Sequence, residues 1–255
     1  MPEIDPLRAH CVEVTNCRLA ASVLAAPMSC LAADALQCAP LISAQFLARR
    51  ASSKSPQAGV LPWLVPEPWN GHLRTAPLLF IGQNPAVGER EVYPDSGWMS
   101  DEENVFNYFE NRYRDGYPEN VPFLKQVRAI AEHIIARVAQ PGVDFAITEA
   151  VRCKATKAAG IERAVKSCAE LHLKTTLSLS GARVVLCLGA TSREGFRIAT
   201  GVALPAARPV EWNGKVVVGL PHPSAWGGEG QKGPPGEVLQ RLKRQLLLPK
   251  SSTAS

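Results

Sequence analysis

The feature that most constrains the fold is a series of four short apolar runs rich in Val, Ile and Leu. These runs are Leu78–Ile81, Phe145–Thr148, Arg183–Leu188 and Lys215–Leu220. Short, continuously apolar runs are typical of parallel strands that are buried on both faces. Segments with a helical spacing of apolar residues separate them, and this alternation predicts an α/β fold. We expect a three-layer α/β/α sandwich with a central, mostly parallel, four-stranded sheet.

The positions of these runs also predict the domain organisation. We expect one α/β domain over 77–248, because a chain of 255 residues can form one large buried core. A mainly helical N-terminal extension, residues 1–76, is expected to pack on this domain, and residues 249–255 are expected to be a disordered tail. The Ala-rich stretch 19–33 is interrupted by Pro27, so we interpret it as a buried helix rather than a signal peptide or membrane span. This interpretation predicts a cytoplasmic protein.

Charge is distributed unevenly along the chain. From Arg152 onwards there are 16 Lys and Arg against 6 Asp and Glu, a net charge of +10, whereas residues 1–151 have a net charge of −5. A basic face of this kind suits binding to a phosphate backbone, although solvation of surface helices explains it equally well.

Two short polar segments follow strands of the expected sheet. Gly82-Gln83-Asn84-Pro85 comes directly after the first run, and His222-Pro223-Ser224 comes after the last. In an open parallel sheet, ligands bind in the crevice at the carboxyl ends of the strands. We therefore expect both segments to line one site, to which the first contributes an amide and the second an imidazole.

These segments, together with Ile147-Thr148-Glu149-Ala150-Val151-Arg152-Cys153, Cys168 and Arg183–Gly189, carry a family resemblance. In this order, each at the end of a strand, they resemble the motifs of the uracil-DNA glycosylase superfamily, most closely those of its iron–sulfur bacterial branches. The resemblance covers about residues 77–247. It implies a monofunctional DNA glycosylase that flips uracil out of DNA, hydrolyses its N-glycosidic bond and leaves an abasic site for base excision repair.

The resemblance assigns catalytic roles to two residues. Asn84 occupies the position that places the attacking water, and His222 the position that hydrogen-bonds the base oxygen. We expect His222 to act as a neutral donor that stabilises the anionic leaving base. The most similar motif of the superfamily has Asp in place of Asn84, although another branch uses Asn. An amide orients water without supplying a full negative charge, so Asn84 implies either a naturally slower enzyme or a weakened one.

The resemblance also places residues around the base. Backbone groups near Gln83 are expected to contact it, Trp98 to stack on it with Phe106 in reserve, and Glu149 to read its Watson–Crick edge, where the family often has Asn. Ordinary core packing is an equally good explanation of Trp98. Ala86 replaces the tyrosine with which the strictest relatives exclude thymine. These departures predict a roomier site that also accepts C5-substituted or otherwise deaminated bases.

Contacts to DNA are expected from the segment that follows the last strand. Ser224 is expected to bind a phosphate. The glycine-rich loop 225–237 contains Trp226 and Lys232, and we expect this loop to bind the DNA and to fill the gap left by the flipped nucleotide. The expected partner is single-stranded DNA or duplex DNA with a flipped base.

The seven cysteines leave the question of a cofactor open. Relatives with a [4Fe–4S] cluster have cysteines at the positions of Cys153 and Cys168 and two more in an N-terminal Cys-x-x-Cys, which this chain lacks. The N-terminal candidates have wider spacings: Cys11, Cys17, Cys30 and Cys38. The sequence therefore favours a chain that needs no cofactor, with buried cysteines. The alternative is a cluster bound by Cys153, Cys168 and two of the N-terminal cysteines.

Two further functions compete with the glycosylase. One is a binder of single-stranded or lesion-containing DNA that keeps the site but has lost turnover through Asn84. The other is a hydrolase of a nucleotide or small phosphate on a similar sheet. His222 favours the glycosylase over the binder, and the basic C-terminal half favours DNA over a small substrate.

Overall fold

Five strands form a single sheet in the computed structural model, which describes residues 5–25, 37–38, 66–85, 101–114, 116–154, 160–225 and 236–247. The strands are β1 (Leu78–Gly82), β2 (Phe145–Glu149), β3 (Val184–Leu188), β4 (Val210–Trp212) and β5 (Lys215–Leu220). The α-helices are α1 (Pro6–Thr15), α2 (Arg18–Ala25), α3 (Glu102–Asn111), α4 (Pro122–Ile135), α5 (Ile161–Cys168), α6 (Lys174–Leu179), α7 (Ala190–Thr200) and α8 (Gly236–Leu247). A π-helical turn, Ala169–Leu173, joins α5 to α6, and a 3₁₀ turn, Pro223–Ala225, follows β5.

The sheet order is β2-β1-β3-β5-β4. The first four strands in this order are parallel, which confirms the predicted α/β class and the four strands that the apolar runs predicted. The sheet has one strand more than expected, because β4 pairs antiparallel with the edge of β5. This strand has only three residues, none of them fully buried, so it lacks the apolar signal that identified the others.

Both faces of the sheet are covered by helices. Alternate residues of the parallel strands point to opposite sides, as the pleat requires. One face packs against α1, α3 and α5–α7 through Leu79, Ile81, Val185 and Cys187. The other packs against α4 and α8 through Leu78, Phe80, Val184 and Leu186. The three-layer sandwich is therefore present.

Local sequence signals set the ends of two helices. The Asp5 side chain accepts a hydrogen bond of 3.0 Å from the Leu7 amide at the start of α1, where Pro6 is the first helical residue. Helix α4 also begins with a proline, and Ala136, the residue that caps its C-terminal end, has a φ of 60°. The second residue of α4, Phe123, contacts His222, which follows β5, so this helix begins at the carboxyl edge of the sheet.

The described N-terminal helices contribute to the same core. Leu7, Cys11 and Val14 of α1 are buried, and the His10 ring lies 3.0 Å from the Thr176 hydroxyl of α6. Within the described ranges, no helix is long and apolar enough to cross a membrane.

Candidate active site

Parallel pairing brings three chain segments to one edge of the sheet. Gly82, at the end of β1, is in register with Glu149, at the end of β2. Strands β3 and β5 also end side by side, and the amide of Gly189 donates a 2.8 Å hydrogen bond to the carbonyl of Leu220. Two residues after Leu220, at the end of β5, the chain reaches His222. This edge is the crevice in which parallel α/β sheets bind their ligands.

The segment after β1 is fixed to the segment after β2 by main-chain hydrogen bonds. The carbonyls of Gly82 and Gln83 accept hydrogen bonds of 3.0 Å each from the amides of Ala150 and Val151. The Gln83 side chain is half-buried. The backbone of the first motif is therefore held in register with Glu149, so the two segments can contact one ligand.

The amide of Asn84 is oriented by its neighbour. Its Nδ2 donates a 2.8 Å hydrogen bond to the Pro85 carbonyl. This contact fixes which end of the amide is the oxygen. The Asn84 Oδ1 accepts no hydrogen bond from the described residues, so it can accept one from a water molecule.

Two contacts with Ser224 fix the tautomer of His222. The Ser224 amide donates to His222 Nδ1 at 3.2 Å, and the Ser224 hydroxyl oxygen lies 2.7 Å from the same nitrogen. Because a main-chain N–H can only donate, Nδ1 is the acceptor and a neutral ring has its proton on Nε2. Partial burial lowers the pKa of His222, which favours this neutral form. His222 thus presents an Nε2–H donor without a positive charge.

Packing holds the His222 ring in place. The Phe123 ring stacks on it, with ring centroids 5.6 Å apart and planes inclined by 20°. On the strand side, Gly189 has a φ of +97°, and a Cβ at this position would lie 3.2 Å from the His222 Cβ. Glycine is therefore required here both for its conformation and for the approach of His222.

Glu149 is a buried carboxyl at the same edge. Its Oε2 atom has no hydrogen-bond partner among the residues that the structure describes. The carboxyl group lies over the Cα of Gly82, where a Cβ would be only 2.8 Å from the Glu149 Cδ. Burial, with a smaller effect from the negative charge of Glu67, raises the pKa of Glu149 to about 8, although Arg152 opposes the shift. Glu149 is thus mostly protonated at neutral pH.

This arrangement of strand ends and motifs coincides with one family match. Residues 68–236, well over half of the chain, match the Uracil DNA glycosylase superfamily. The chain belongs to this superfamily. None of the curated proteins compared with the chain matches it. Membership makes the protein a DNA glycosylase, a hydrolase of DNA repair that acts on DNA.

Not all of the expected glycosylase residues can be placed. Asn84, His222, Gln83 and Glu149 lie at the carboxyl edge, and Ser224 contacts His222. Four others fall outside the described residues: Ala86, Trp98, Trp226 and Lys232. Their roles stay predictions.

Phe106, the reserve stacking residue, is described. It lies in α3, with its ring centroid 6.5 Å from that of Trp69 and the Arg8 guanidinium 5.8 Å above it. These contacts are with the helical side of the core, so a role of Phe106 toward a flipped base also stays a prediction.

Two residues of the glycosylase site were not identified from the sequence. Phe123 was recognised only as part of an amphipathic helix, because its stacking on His222 depends on how α4 crosses the sheet edge. Gly189 follows the strand Val184–Leu188, a position that suits a close approach, but its contact with His222 joins residues 33 positions apart.

A second constellation is a small cavity lined by four cysteines. They are Cys17, Cys38, Cys153 and Cys168, and each keeps 7–9% of its surface exposed, whereas Cys11 and Cys187 are fully buried elsewhere in the core. Cys17 and Cys38 are 21 positions apart in the sequence, so no short spacing between cysteines indicated that these two share a cavity. The cavity thus joins the N-terminal part of the chain to the segment that follows β2.

The surroundings of two of these cysteines act on their ionisation. Burial raises the pKa of Cys153, and the thiolates of Cys168, Cys17 and Cys38 raise it further. Burial also raises the pKa of Cys168 to about 11, although Arg152 opposes the shift. These two thiols would have to lose their protons to bind a metal group. Among the described residues, no three His, Cys, Asp or Glu side chains are grouped to hold a metal ion. The four cysteines of the cavity are the residues that would hold a [4Fe–4S] cluster, whose usual ligands are four thiolates.

Proposed function

We propose that the protein is a monofunctional uracil-DNA glycosylase that removes uracil from DNA and leaves an abasic site. The observation that carries this proposal is the Nε2–H donor of His222, fixed by Ser224 at the carboxyl edge of the sheet, where the first motif of the superfamily also lies. The proposed substrate is single-stranded DNA, or duplex DNA with the target base flipped out.

The reaction breaks the bond between the sugar C1′ and the base nitrogen. The electron pair leaves with the base, so negative charge develops on its carbonyl oxygen while positive charge develops on the sugar. A neutral His222 donates a hydrogen bond from Nε2 to that oxygen. Because His222 keeps its Nε2 proton while it stabilises the base anion, it does not have to be reprotonated before the next cycle.

Water completes the hydrolysis. We assign the Asn84 Oδ1 to orient a water molecule toward C1′; the water oxygen forms the new bond and its proton passes to solvent. An amide oxygen has no net charge, so it stabilises the sugar cation less than a carboxylate would. We therefore propose that the protein, with Asn84 at this position, excises uracil at a modest rate.

Glu149 is proposed to read the edge of the base. A protonated carboxyl can donate to a carbonyl oxygen and accept from the adjacent N–H, as an amide does. Uracil presents this pair of groups, and so does hypoxanthine, the deaminated form of adenine. With Ala86 in place of a tyrosine, the proposed substrates extend to deaminated purines and C5-substituted uracils.

The test uses oligonucleotides that contain one uracil, both single-stranded and paired with guanine. Incubation with the protein and then alkali should cut the strand at the uracil, while omission of alkali should leave it intact. Strand cleavage at uracil but not at hypoxanthine or 5-substituted uracil would contradict the wide substrate range. Cleavage without alkali would contradict a monofunctional enzyme.

The second candidate is a DNA-binding relative without turnover, which Asn84 favours. The same incubation separates the two functions. Binding to uracil-containing DNA in a mobility-shift assay, with no alkali-sensitive sites after prolonged incubation, would support the binder and overturn the enzyme.

We also propose a [4Fe–4S] cluster bound by Cys17, Cys38, Cys153 and Cys168. The support for it is their common cavity and their mutual electrostatic effects. When bound, the cluster would supply a rigid cross-link between N-terminal residues and the glycosylase domain rather than a reacting group. This proposal departs from the preference of the sequence for a chain without a cofactor.

The cluster proposal is tested by iron content. Anaerobically purified protein should contain about four iron atoms per chain and should show cluster absorbance at about 400 nm. Alanine at any of the four cysteines should abolish both signals. Alanine at Cys11 or Cys187, the matched controls in the core, should leave them intact; equal iron loss in the controls would overturn the ligand assignment.

A cytoplasmic location stays part of the proposal. It is consistent with the six cysteines of the described residues, which form no disulfide, since disulfides are rare in reducing compartments.

A further inference from the structure

Arg152 is a fully buried cation beside the four-cysteine cavity. The residue has no exposed surface and is one of those that line that cavity. One terminal nitrogen donates a 2.5 Å hydrogen bond to the Pro68 carbonyl and the other a 2.7 Å bond to the Thr176 hydroxyl, and Nε has no hydrogen-bond partner among the described residues. All of these acceptors are neutral. Among the described residues, no carboxylate forms an ion pair with this guanidinium.

A buried charge of this kind needs a counter-charge. A guanidinium stays protonated in proteins, and an uncompensated buried charge is strongly destabilising. The two nearest acids do not fill the role. Glu149 is mostly protonated, and Glu67 lies 3.0 Å from Lys154 and 3.2 Å from Arg112, so its charge is already shared by two cations.

Two nitrogens also lie against sulfurs of the cavity. The main-chain amide of Arg152 donates to the Cys168 Sγ at 3.1 Å. The Nε2 of His172 lies 3.3 Å from the Cys17 Sγ, where it donates if its ring proton is on Nε2, and the other ring nitrogen has no hydrogen-bond partner among the described residues. A thiolate is a much better acceptor for these donors than a thiol.

We propose that Arg152 is the buried counter-charge of the [4Fe–4S] cluster, assisted by hydrogen bonds from its own amide to Cys168 and from His172 to Cys17. This inference rests on the cluster proposed above. Four thiolates around the cubane make a complex with net negative charge, which the guanidinium offsets from within the protein. Arg152 and His172 are thus positioning residues: they stabilise the cluster and do not contact DNA.

The arrangement determines the redox properties of the cluster. Nearby positive charge and hydrogen bonds to the sulfurs stabilise the more negative, reduced form, so they raise the reduction potential. They also disfavour oxidation in air, the step that precedes loss of iron. The outer groups of metal sites commonly change metal retention by 10–100-fold when they are removed.

The experiment compares the full chain with the variants Arg152→Met, Arg152→Lys and His172→Phe, all purified anaerobically. We expect the cluster of Arg152→Met to have a more negative midpoint potential and to bleach about tenfold faster in air. Arg152→Lys, which keeps the charge, should stay close to the wild type. His172→Phe should shift the potential in the same direction by a smaller amount.

Arg183 provides a matched control. Its guanidinium also donates to two main-chain carbonyls, Leu246 and Gln245, but next to α8, on the opposite face of the sheet. Arg183→Met should lower the melting temperature without changing the potential or the bleaching rate. If Arg152→Met does not fold, the His172→Phe measurement decides, because Arg152→Lys keeps the charge and is expected to resemble the wild type.

Two outcomes would overturn the inference. Wild-type potentials and bleaching rates in both Arg152→Met and His172→Phe would show that Arg152 and His172 have only a structural role. A wild-type chain without iron would overturn the cluster together with its counter-charge. Uracil excision is measured separately by alkali cleavage, so either failure is distinguishable from failure of the glycosylase proposal.

Discussion

Asn84 is the residue that we propose to limit the rate of this glycosylase. Its side-chain oxygen is oriented by the bond from Nδ2 to the Pro85 carbonyl and carries only a partial charge. We predict that Asn84→Asp raises the single-turnover rate on uracil at least about tenfold, because a carboxylate both binds the water and stabilises the sugar cation. The measurement is rapid-quench excision from a single-stranded oligonucleotide. An unchanged or lower rate would show that position 84 does not orient the water.

Glu149 gives the site a pH dependence. Burial raises its pKa to about 8, so the carboxyl is mostly protonated at neutral pH and loses its proton as the pH rises through that value. Ionisation removes the donor and places a negative charge against the base oxygen. We predict that uracil excision is level between about pH 6 and 7 and falls progressively above about pH 8.

The variant Glu149→Gln separates this cause from others. An amide keeps one donor and one acceptor but cannot ionise, so its excision rate should stay level where that of the wild type falls. If both proteins lose activity in parallel above pH 8, the titrating group is not Glu149.

At the scale of elements, the junction between β3 and α7 positions His222. Gly189 has a positive φ, and an added Cβ would meet the His222 Cβ at 3.2 Å. We predict that Gly189→Ala lowers the excision rate by about tenfold or more, because a small displacement of a catalytic group is costly. The matched control is Gly201→Ala at the other end of α7, where φ is +77° and the space is open.

Both glycine variants should lose stability, by about 1 kcal/mol or more, because alanine is strained at positive φ. Only Gly189→Ala should also have a lower specific activity, that is, a lower excision rate per folded molecule. Equal specific activities of the two variants, measured below their melting temperatures, would mean that Gly189 serves the backbone alone.

The elements that the sequence predicted well are those whose burial is continuous along the chain. The parallel strands are mostly apolar because both faces of the sheet are covered, so each run can be recognised from its own sequence. Strand β4 could not be recognised in this way, because its three residues pair with β5 and are not fully buried. Likewise, Asn84 and His222 could be proposed from the sequence because each follows a strand, whereas the position of Phe123 beside His222 depends on the course of α4.

At the scale of the molecule, the cysteines show the limit of spacing arguments. Cys17 and Cys38 share a cavity with Cys153 and Cys168, although 20 residues of chain lie between the first two. Only packing of the N-terminal helices against α5 brings them together. From the sequence we favoured buried cysteines without a cofactor, and the described cysteines are buried. The alternative, a cluster bound by Cys153, Cys168 and two N-terminal cysteines, is the one that the shared cavity led us to propose.

The proposed cluster makes the stability of the whole molecule depend on iron. It would cross-link the chain near α2 to the segment after β2, and a group that binds only the folded state stabilises it. We predict that removing iron from the wild-type protein with a chelator and an oxidant lowers the melting temperature by at least about 5 °C. Reconstitution with iron and sulfide should restore it. Equal melting temperatures with and without iron would contradict a structural role.

The most direct test of the central claim is the excision rate of His222 variants on a single-stranded, uracil-containing oligonucleotide. Removing one preorganised donor to a developing oxyanion typically costs about 10²–10³-fold in rate. We predict a loss of this size for His222→Ala at saturating enzyme, and a smaller loss for His222→Gln, whose amide N–H can still donate. A His222→Ala rate within about twofold of the wild type would contradict the assignment of the neutral Nε2–H donor as the group that stabilises the departing base.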